Sequence, residues 1–470
     1  MFTIPNNILE LATAIRAAGG RALLVGGCVR DQLMGTEPKD WDLEVYQLEP
    51  TRLREVLDQF GTVNVVGEAF TVYKLDGHLD VSIPRRERKS GSGHRGFVIE
   101  GDPAMTVEEA TRRRDFTINA ILLDPFTHEV FDPFDGQRDL KNKILRAVSV
   151  DTFAEDSLRV LRAAQFAARF EFNIDPETVS LCQEIDLSDL PAERIWGEME
   201  KLLLRAQRPS LGLEWLRKLG VLNKIFPEID ALIDVKQDPE WHPEGDVFVH
   251  TKLVIDGARK AIDDLPYAKK ITVMLAALAH DFGKPETTEF IDGRIRSRGH
   301  EEAGVSPTKS FLDRLNIHTL EGYDVRSQVI ALVRDHLKPG EFYKKREEVG
   351  DGAFRRLARK CELDLLYRVA KADSLGRNGE NVPREKWYGA EAQEWFIEKA
   401  RELSVERQPP PPLLMGRHLL DVGLKPGPEM GEILAAVYEM QLDGRVRTLE
   451  EAKNAAKEIL SADSADYSDI

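Results

Sequence analysis

The apolar positions change their period part-way along the chain. Residues 8–18 repeat apolar side chains every three or four positions and stop at Gly19 and Gly20, which predicts a short helix. ALLVGG (22–27) then reads as a buried strand entering a glycine turn. Short apolar segments at 42–46, 70–75, 79–83 and 118–123 predict a mixed sheet flanked by helices. From Thr152 onward the strand signals fade. LRVLRAAQFAARF (158–170) and MEKLLLRAQ (199–207) carry the spacing of packed helices, and the remainder reads as almost entirely helical. The expected class is α+β, divided into a sheet-bearing head (1–150), a helical neck (151–225), a helical body (226–405) and a helical tail (406–470). Asp238–Gly245 punctuates the body, QPPPPLL (408–414) is a stiff linker before the tail, and SADSADYSDI reads as a frayed end.

A chain of 470 residues suits roughly three domains at about 150 residues each. With 42% hydrophobic and 31% charged residues it has the composition of a globular protein. No apolar run exceeds the seven residues Val273–Ala279, against about twenty for a spanning helix. The N-terminus lacks a basic-then-apolar signal, so a cytoplasmic protein with no membrane partner is expected. Cys28, Cys182 and Cys361 are odd in number and far apart, which favours packed thiols over disulfides or a thiolate metal site. A net charge of -16 repels nucleic acid unless cations gather locally. They do at 85–95 (five cations, one anion), at 112–114 (three arginines) and at 344–360 (seven cations, three anions), although a solvated surface accounts for each equally well.

Candidate chemistry begins at the glycine turn. VGGCVRD (25–31) lets backbone N–H groups at Gly26 and Gly27 approach a phosphate, with Arg30 as a bidentate partner. Asp40 and Asp42 are two apart, so in an extended segment both project to one face and can hold Mg2+. Asp80, alternating with Leu79 and Val81, offers a third carboxylate. Turn aspartates and an exposed strand residue are the plainer alternatives.

With these residues in view, the chain resembles the class II tRNA nucleotidyltransferase and bacterial poly(A) polymerase family, in which a glycine-arginine-aspartate turn precedes an aspartate pair. RRRDFTINA (112–120) and DPFDGQRDL (132–140) look like its next two motifs. The resemblance implies that Arg113 and Arg114 hold triphosphate and that Asp115 and Asn119 lie near the ribose. Asp156, Arg159 and Arg162 recur every three residues and predict one polar stripe on a helix, which is also how a surface ion-pair ladder looks. In the family such an aspartate and arginine read the Watson-Crick edge of CTP or ATP. A carboxylate accepts from the exocyclic amine that both bases carry, and guanidinium donates to the adjoining ring acceptor. Gln165 stands where the family commonly has another arginine. AERIWGEMEKLL (192–203) is similar to the last motif, with Glu193, Arg194 and Glu198 read as structural ion pairing.

Histidines cluster in the body. His242 and His250 lie in WHPEGDVFVHT, His280 and Asp281 adjoin in AALAHDFGKP, and His300, His336 and Asp373 follow. Burying an imidazole beside a carboxylate is unfavourable unless they pair or hold a cation. The pattern resembles the HD phosphohydrolase superfamily: His250, His280, Asp281 and Asp373 match its four ligands, His300 and His336 the extra pair of binuclear members. That implies phosphoester hydrolysis, with Lys284 as a phosphate contact. Nitrogen and oxygen donors suit Mn2+, iron, Ni2+ or Mg2+.

Together the resemblances imply an enzyme that adds or repairs the 3′-terminal CCA of tRNA from CTP and ATP, carrying an HD phosphohydrolase. An A-adding enzyme or a poly(A) polymerase on the same head is the alternative. A protein that is mainly an HD phosphohydrolase is another, and a tRNA-binding protein without catalysis a third. Residues 85–111 are expected to form a flexible loop that re-orients the base-reading pair. The tail is expected to pack on the body or to grip tRNA.

Overall fold

The computed structural model describes residues 2–66, 72–76, 79–89, 97–379, 381–421 and 424–466. It divides into two compact units, residues 1–227 and 228–470.

The first unit carries a seven-stranded mixed sheet. Its strands in chain order are β1 (Arg21–Val25), β2 (Trp41–Tyr46), β3 (Val63–Val66), β4 (Val72–Leu75) and β5 (Leu79–Ser82), followed after a separate hairpin by β8 (Leu122–Leu123) and β9 (Val130–Phe131). They lie in the order β3-β4-β5-β2-β1-β8-β9. Every pairing is antiparallel except β2 with β5, which are parallel. One face packs against helices Asn6–Ala17 and Pro50–Leu57, where Leu11, Ile15, Leu24, Leu43, Val45, Leu53 and Val81 form the main core. The opposite face has a smaller core around Leu23, Val25, Tyr46, Met105 and Ala110.

The segment expected as a flexible loop is ordered wherever it is described. β6 (Arg85–Lys89) pairs with β7 (Phe97–Gly101), and helix Val107–Arg112 begins with a Thr106–Glu109 capping box. Residues 90–96 of the basic run lie outside the described residues. Beyond the sheet, β10 (Ile144–Leu145) pairs in parallel with β11 (Asn173–Ile174), and helices Leu158–Phe170, Ala192–Arg205 and Pro209–Lys218 pack together.

The second unit is helical but not wholly so. Helix Tyr267–Ala279 is buried from Ile271 to its end, so the longest apolar run of the chain is a central core helix. Helices Val247–Lys260 and Leu363–Gly376 pack closely on each other; a Cβ on Gly376 would lie 2.6 Å from Val254. An unforeseen hairpin, β12 (Thr288–Ile291) and β13 (Arg294–Ser297), turns at Asp292-Gly293, both with positive φ. An Asp-Gly turn between β-branched and aromatic residues is a hairpin signal.

The tail has its own small core of Leu419, Ile433, Val437, Ala452 and Ala456. Its last helix runs from Leu449 to Asp466, so most of the expected frayed end is helical; residues 467–470 lie outside the described ones. Three arginines of the basic run 344–360 are engaged by the tail. Arg356 pairs with Glu439 (2.8 Å) and Asp443, Arg359 with Glu439 (2.6 Å), and Arg355 donates to the Leu442 carbonyl (2.8 Å). All three cysteines are buried and unbridged. No described helix is long and apolar enough to cross a membrane.

Candidate functional site

Strand alternation sorts the head's side chains. On β2, Leu43 and Val45 enter the main core while Asp42, Glu44 and Tyr46 take the other face. On β5, Leu79 and Val81 do the same and leave Asp80 beside Asp42, its register partner. Lys74 of β4 is the next residue in that row, its ammonium 3.4 Å from Asp80. Asp40 occupies the bend just before β2. Burial pushes the Asp42 carboxyl up to about 6; Arg114 opposes the shift, and Asp80 and Asp40 add to it. Crowded acids of this kind are the donor set a hard cation relieves. Among the described residues, however, the three do not close to common ligand distance; the close groups of ligating side chains all lie in the second unit.

Glu44 is the residue that sequence reasoning missed. Its side chain is fully buried, with Arg113 Nη2 at 3.4 Å, Arg114 Nη2 at 3.9 Å and the Tyr46 hydroxyl donating at 2.7 Å. The signal was its spacing, two residues beyond Asp42 on the same strand face. Gly26 brings the turn against these arginines: its φ is 73°, and a Cβ there would sit 3.0 Å from Arg114 Nη1. Gly27 opens the helix Gly27–Leu33.

Other expected contacts are committed within the protein. Arg30, expected to fork onto a phosphate, donates from Nε and Nη2 to Asp31 (2.8 and 2.6 Å) and from Nη1 to Asn119 (2.6 Å), and only 4% of it is exposed. Asn119 donates to Asp115 Oδ1 (3.0 Å), and Arg162 takes Asp115 Oδ2 from Nε and Nη2 (2.9 and 2.6 Å) and reaches Glu198 at 3.7 Å. Against the burial penalty, Arg162 and Asn119 hold the Asp115 carboxyl below its usual range. Asp115 and Asn119 thus join the turn helix to helices Leu158–Phe170 and Ala192–Arg205. Asp139 of the third motif accepts from Thr117 (2.8 Å) and Arg146 (3.1 Å), and Gly136 lies so close that a Cβ would meet the Thr117 carbonyl at 2.3 Å.

The predicted polar stripe needs correction at one end. Asp156 precedes the helix Leu158–Phe170; its Oδ1 accepts the Leu158 N–H (3.2 Å) and its Oδ2 accepts Arg194 (2.9 Å). Arg159 donates to the carbonyls of Thr152 and Arg113, both at 2.6 Å. Gln165 is buried with its Nε2 unpartnered among the described residues.

The second unit brings the six predicted HD residues together, His280, Asp281, His300 and His336 from element ends and His250 and Asp373 from within helices Val247–Lys260 and Leu363–Gly376. His280 caps helix Tyr267–Ala279, His336 caps helix Val325–Asp335, and His300 follows β13. Each directs Nδ1 to the carbonyl three residues back: Ala277 (2.8 Å), Val333 (2.7 Å) and Ser297 (2.7 Å). Those carbonyls stand in the last turn of a helix or at the end of a strand, where regular partners run out, so a donating Nδ1 satisfies the backbone and leaves Nε2 as an acceptor. The inward atoms then crowd: His280 Nε2 is 3.2 Å from Asp281 Oδ2, His300 Nε2 is 3.4 Å from Asp281 Oδ1, and the Nε2 atoms of His300 and His336 are 3.3 Å apart. His250 Nε2 lies 3.0 Å from Asp373 Oδ1. His280 Nε2 has no hydrogen-bond partner among the described residues. Buried acceptors turned toward one another fit a divalent cation.

Burial, with His280 and His300 nearby, pulls His336 down to about 3, so it is neutral with a lone pair at physiological pH. Against their burial, Asp281 is held well below the usual range by His280 and Lys284, and Asp373 by His250 and Arg377. Lys284 bridges Asp281 Oδ2 and Gln237 Oε1, each at 2.7 Å. Gly283 is required here, since a Cβ would fall 2.1 Å from the His300 carbonyl. A cavity of about 200 Å³ opens onto the centre, lined by Trp241, Lys284, Ser297 and Arg377 beside the histidines.

Known proteins resemble this chain along most of its length. Residues 22–146 match the poly A polymerase head domain, 171–233 the probable RNA and SrmB-binding site of polymerase A, and 247–378 the HD domain. The multifunctional CCA protein of Xanthomonas campestris is 37% identical over 429 residues, covering 88% of this chain and 96% of the relative. That of Haemophilus influenzae is 41% identical over 367 residues, 76% of this chain and 85% of the relative. The fold is similar to that of the Bacillus stearothermophilus CCA-adding enzyme in complex with CTP, with TM-score 0.65, 18% identity and coverage of 99% and 100% of the two chains. It is also similar to the Thermotoga maritima CCA-adding enzyme complexed with tRNA, with TM-score 0.58, 19% identity and coverage of 97% and 96%. With head, RNA-binding region and HD domain matched in that order, the chain belongs to the multifunctional CCA proteins, HD-bearing members of the class II tRNA nucleotidyltransferase and poly(A) polymerase family.

Proposed function

We propose that this protein adds or repairs the 3′-terminal CCA of tRNA from CTP and ATP, and that its HD centre hydrolyses a phosphoester. The observation that carries the first part is the register pair Asp42–Asp80 on a sheet face shared with Arg113 and Arg114. Asp40, Asp42 and Asp80 would hold Mg2+, which supplies Lewis-acid activation of the tRNA 3′-hydroxyl and charge neutralisation at the triphosphate. Asp80 would leave Lys74 to do so. Arg113 and Arg114, oriented from beneath by Glu44, receive the triphosphate beside the close-approaching Gly26-Gly27 turn. Arg30, Asp115, Asn119 and Arg162 form the scaffold that fixes this turn against the neck. Asp156 accepts from the exocyclic amine of cytosine or adenine, and Arg159 reaches the ring acceptor by exchanging one of its two carbonyl partners. We assign transfer to 1–150, base reading to 151–225, hydrolysis to 226–405 and a tail to 406–470.

In the second unit His250, His280, Asp281 and Asp373, with His300 and His336, would hold Mn2+, Ni2+, iron or Mg2+, while Lys284 and Arg377 supply positive charge to the cavity. The test is to incubate the protein and Mg2+ with tRNA transcripts ending before CCA, after C or after CC, supply CTP, ATP or both, and sequence the 3′ ends. Complete CCA on the shortest transcript is expected. Adenosine added only to the CC-ended transcript would indicate an A-adding enzyme, and long A tails a poly(A) polymerase.

A further inference from the structure

The HD histidines are not held alike. His280, His300 and His336 each lean on a backbone carbonyl freed by the end of an element. His250 lies inside helix Val247–Lys260, where carbonyls are engaged in the helix, so its Nδ1 requires a side chain. That side chain is Glu244. Its Oε1 lies 2.7 Å from His250 Nδ1, not yet aligned for a linear hydrogen bond, and 2.9 Å from His242 Nδ1, which is aligned. The carboxylate side chain is fully buried, and its Oε2 has no hydrogen-bond partner among the described residues. The two imidazoles meet edge to face, with centroids 5.0 Å apart. His242 lines the cavity, whereas His250 faces Asp373. With Nδ1 turned to Glu244, the nitrogen that His242 has left for a ligand is Nε2.

We propose that Glu244 is the positioning residue of the HD centre: a single buried carboxylate oxygen orients the metal ligand His250 and, through His242, a substrate contact at the cavity wall. The inference rests on the HD reading above. A carboxylate behind an imidazole fixes its tautomer and raises its basicity, which a neutral carbonyl does less strongly. Glu244 therefore acts in two directions, on metal affinity through His250 and on substrate affinity through His242. In the neutral tautomer that donates to Glu244, His242 Nε2 is an acceptor and suits a hydroxyl of the substrate rather than a phosphate oxygen.

The experiment uses the full chain, stripped of metal and titrated with Mn2+, Co2+ or Ni2+ by competition against a chromogenic chelator. Hydrolysis of bis(p-nitrophenyl) phosphate and of a ribonucleoside 2′,3′-cyclic phosphate is then followed, with thermal melting to verify folding. E244Q keeps the shape, and is expected to weaken metal binding by about tenfold or more. H242A is expected to leave metal affinity within about twofold, and to raise KM for the ribose-bearing probe but not for bis(p-nitrophenyl) phosphate, which has no ribose. A folded E244Q that binds metal like the parent overturns the proposal, as does an H242A that loses metal as E244Q does. Equal KM changes on both probes, or none on either, overturn the substrate arm. A parent that binds metal but hydrolyses neither probe overturns the HD reaction and the substrate arm, and leaves the His250 arm to be decided by the titration. A parent that binds none of the three metals overturns both readings.

Discussion

In the head, Asp42 and Asp80 are neighbours because two strands run parallel in register; in the second unit, His280, His300 and His336 converge because each stands at an element boundary and ties its ring to the carbonyl three residues back. The head carboxylates share a sheet face but not a common ligand distance, and Lys74 holds Asp80. The HD side chains are buried, and the Nδ1 contacts of these three leave their Nε2 atoms turned inward. A sheet face sets direction and leaves short side chains free to move, whereas helix ends fix both direction and tautomer beforehand. On the proposed function, the first centre would be completed by its substrate's metal and the second would receive a resident ion.

The largest effect that could break this contrast is at Asp42. D42N is expected to reduce nucleotide incorporation by about 10³-fold or more and to leave phosphoester hydrolysis unchanged; labelled CTP and a chromogenic phosphodiester read the two activities separately. The reciprocal change, H280A, is expected to lower hydrolysis and metal binding by at least ~10²-fold while incorporation persists. Loss of both activities in either variant would refute the division of labour.

Next is the buried acid beneath the arginines. E44Q removes the buried negative charge that faces Arg113 and Arg114, and is expected to destabilise the head by about 3 kcal/mol and to raise KM for CTP; urea melts and initial rates test the two effects.

Proton competition separates the centres further. Asp42's value of about 6 lies above the ordinary 3.8, so folding favours its protonated form. Its contribution to stability is full below 3.8 and fades as pH rises through 6. Mg2+ binding needs the anion and should tighten over the same rise. D80N should move that midpoint downward, as measured by carboxyl NMR and Mg2+ titration. The smallest expected effect is K74M: the Lys74–Asp80 pair is half exposed, so stability should change by less than about 1 kcal/mol. Mg2+ affinity in the head should nevertheless rise a few-fold, with HD metal affinity unaltered, because the substitution removes a cation from the row.

Much of the fold was legible because period alone distinguishes strand from helix. The alternation of Leu43 and Val45 with Asp42 and Glu44 specifies a half-buried strand, and the all-apolar run ending at Ala279 a buried helix. The hairpin at Asp292-Gly293 lies in a region dominated by helical spacing, which masks its Asp-Gly turn signal, and its Ser297 carbonyl orients His300. Three-residue spacing continues across a helix cap, so it does not reveal that Asp156 stands two residues before its helix.

The sequence by itself determined the residue types and the faces they occupy: two acids on one side of a strand, six histidines and aspartates in a helical body, and glycines where close approach was needed. Only the tertiary structure decided which partners those residues take. Arg30 turns to Asp31 and Asn119, Arg355, Arg356 and Arg359 hold the tail's helix, and Glu44 and Glu244 support other functional groups from behind. Periodicity is a local property carried by the backbone. The pairing of a buried charge depends on groups distant in sequence, and burial removes the water that would otherwise serve as its partner.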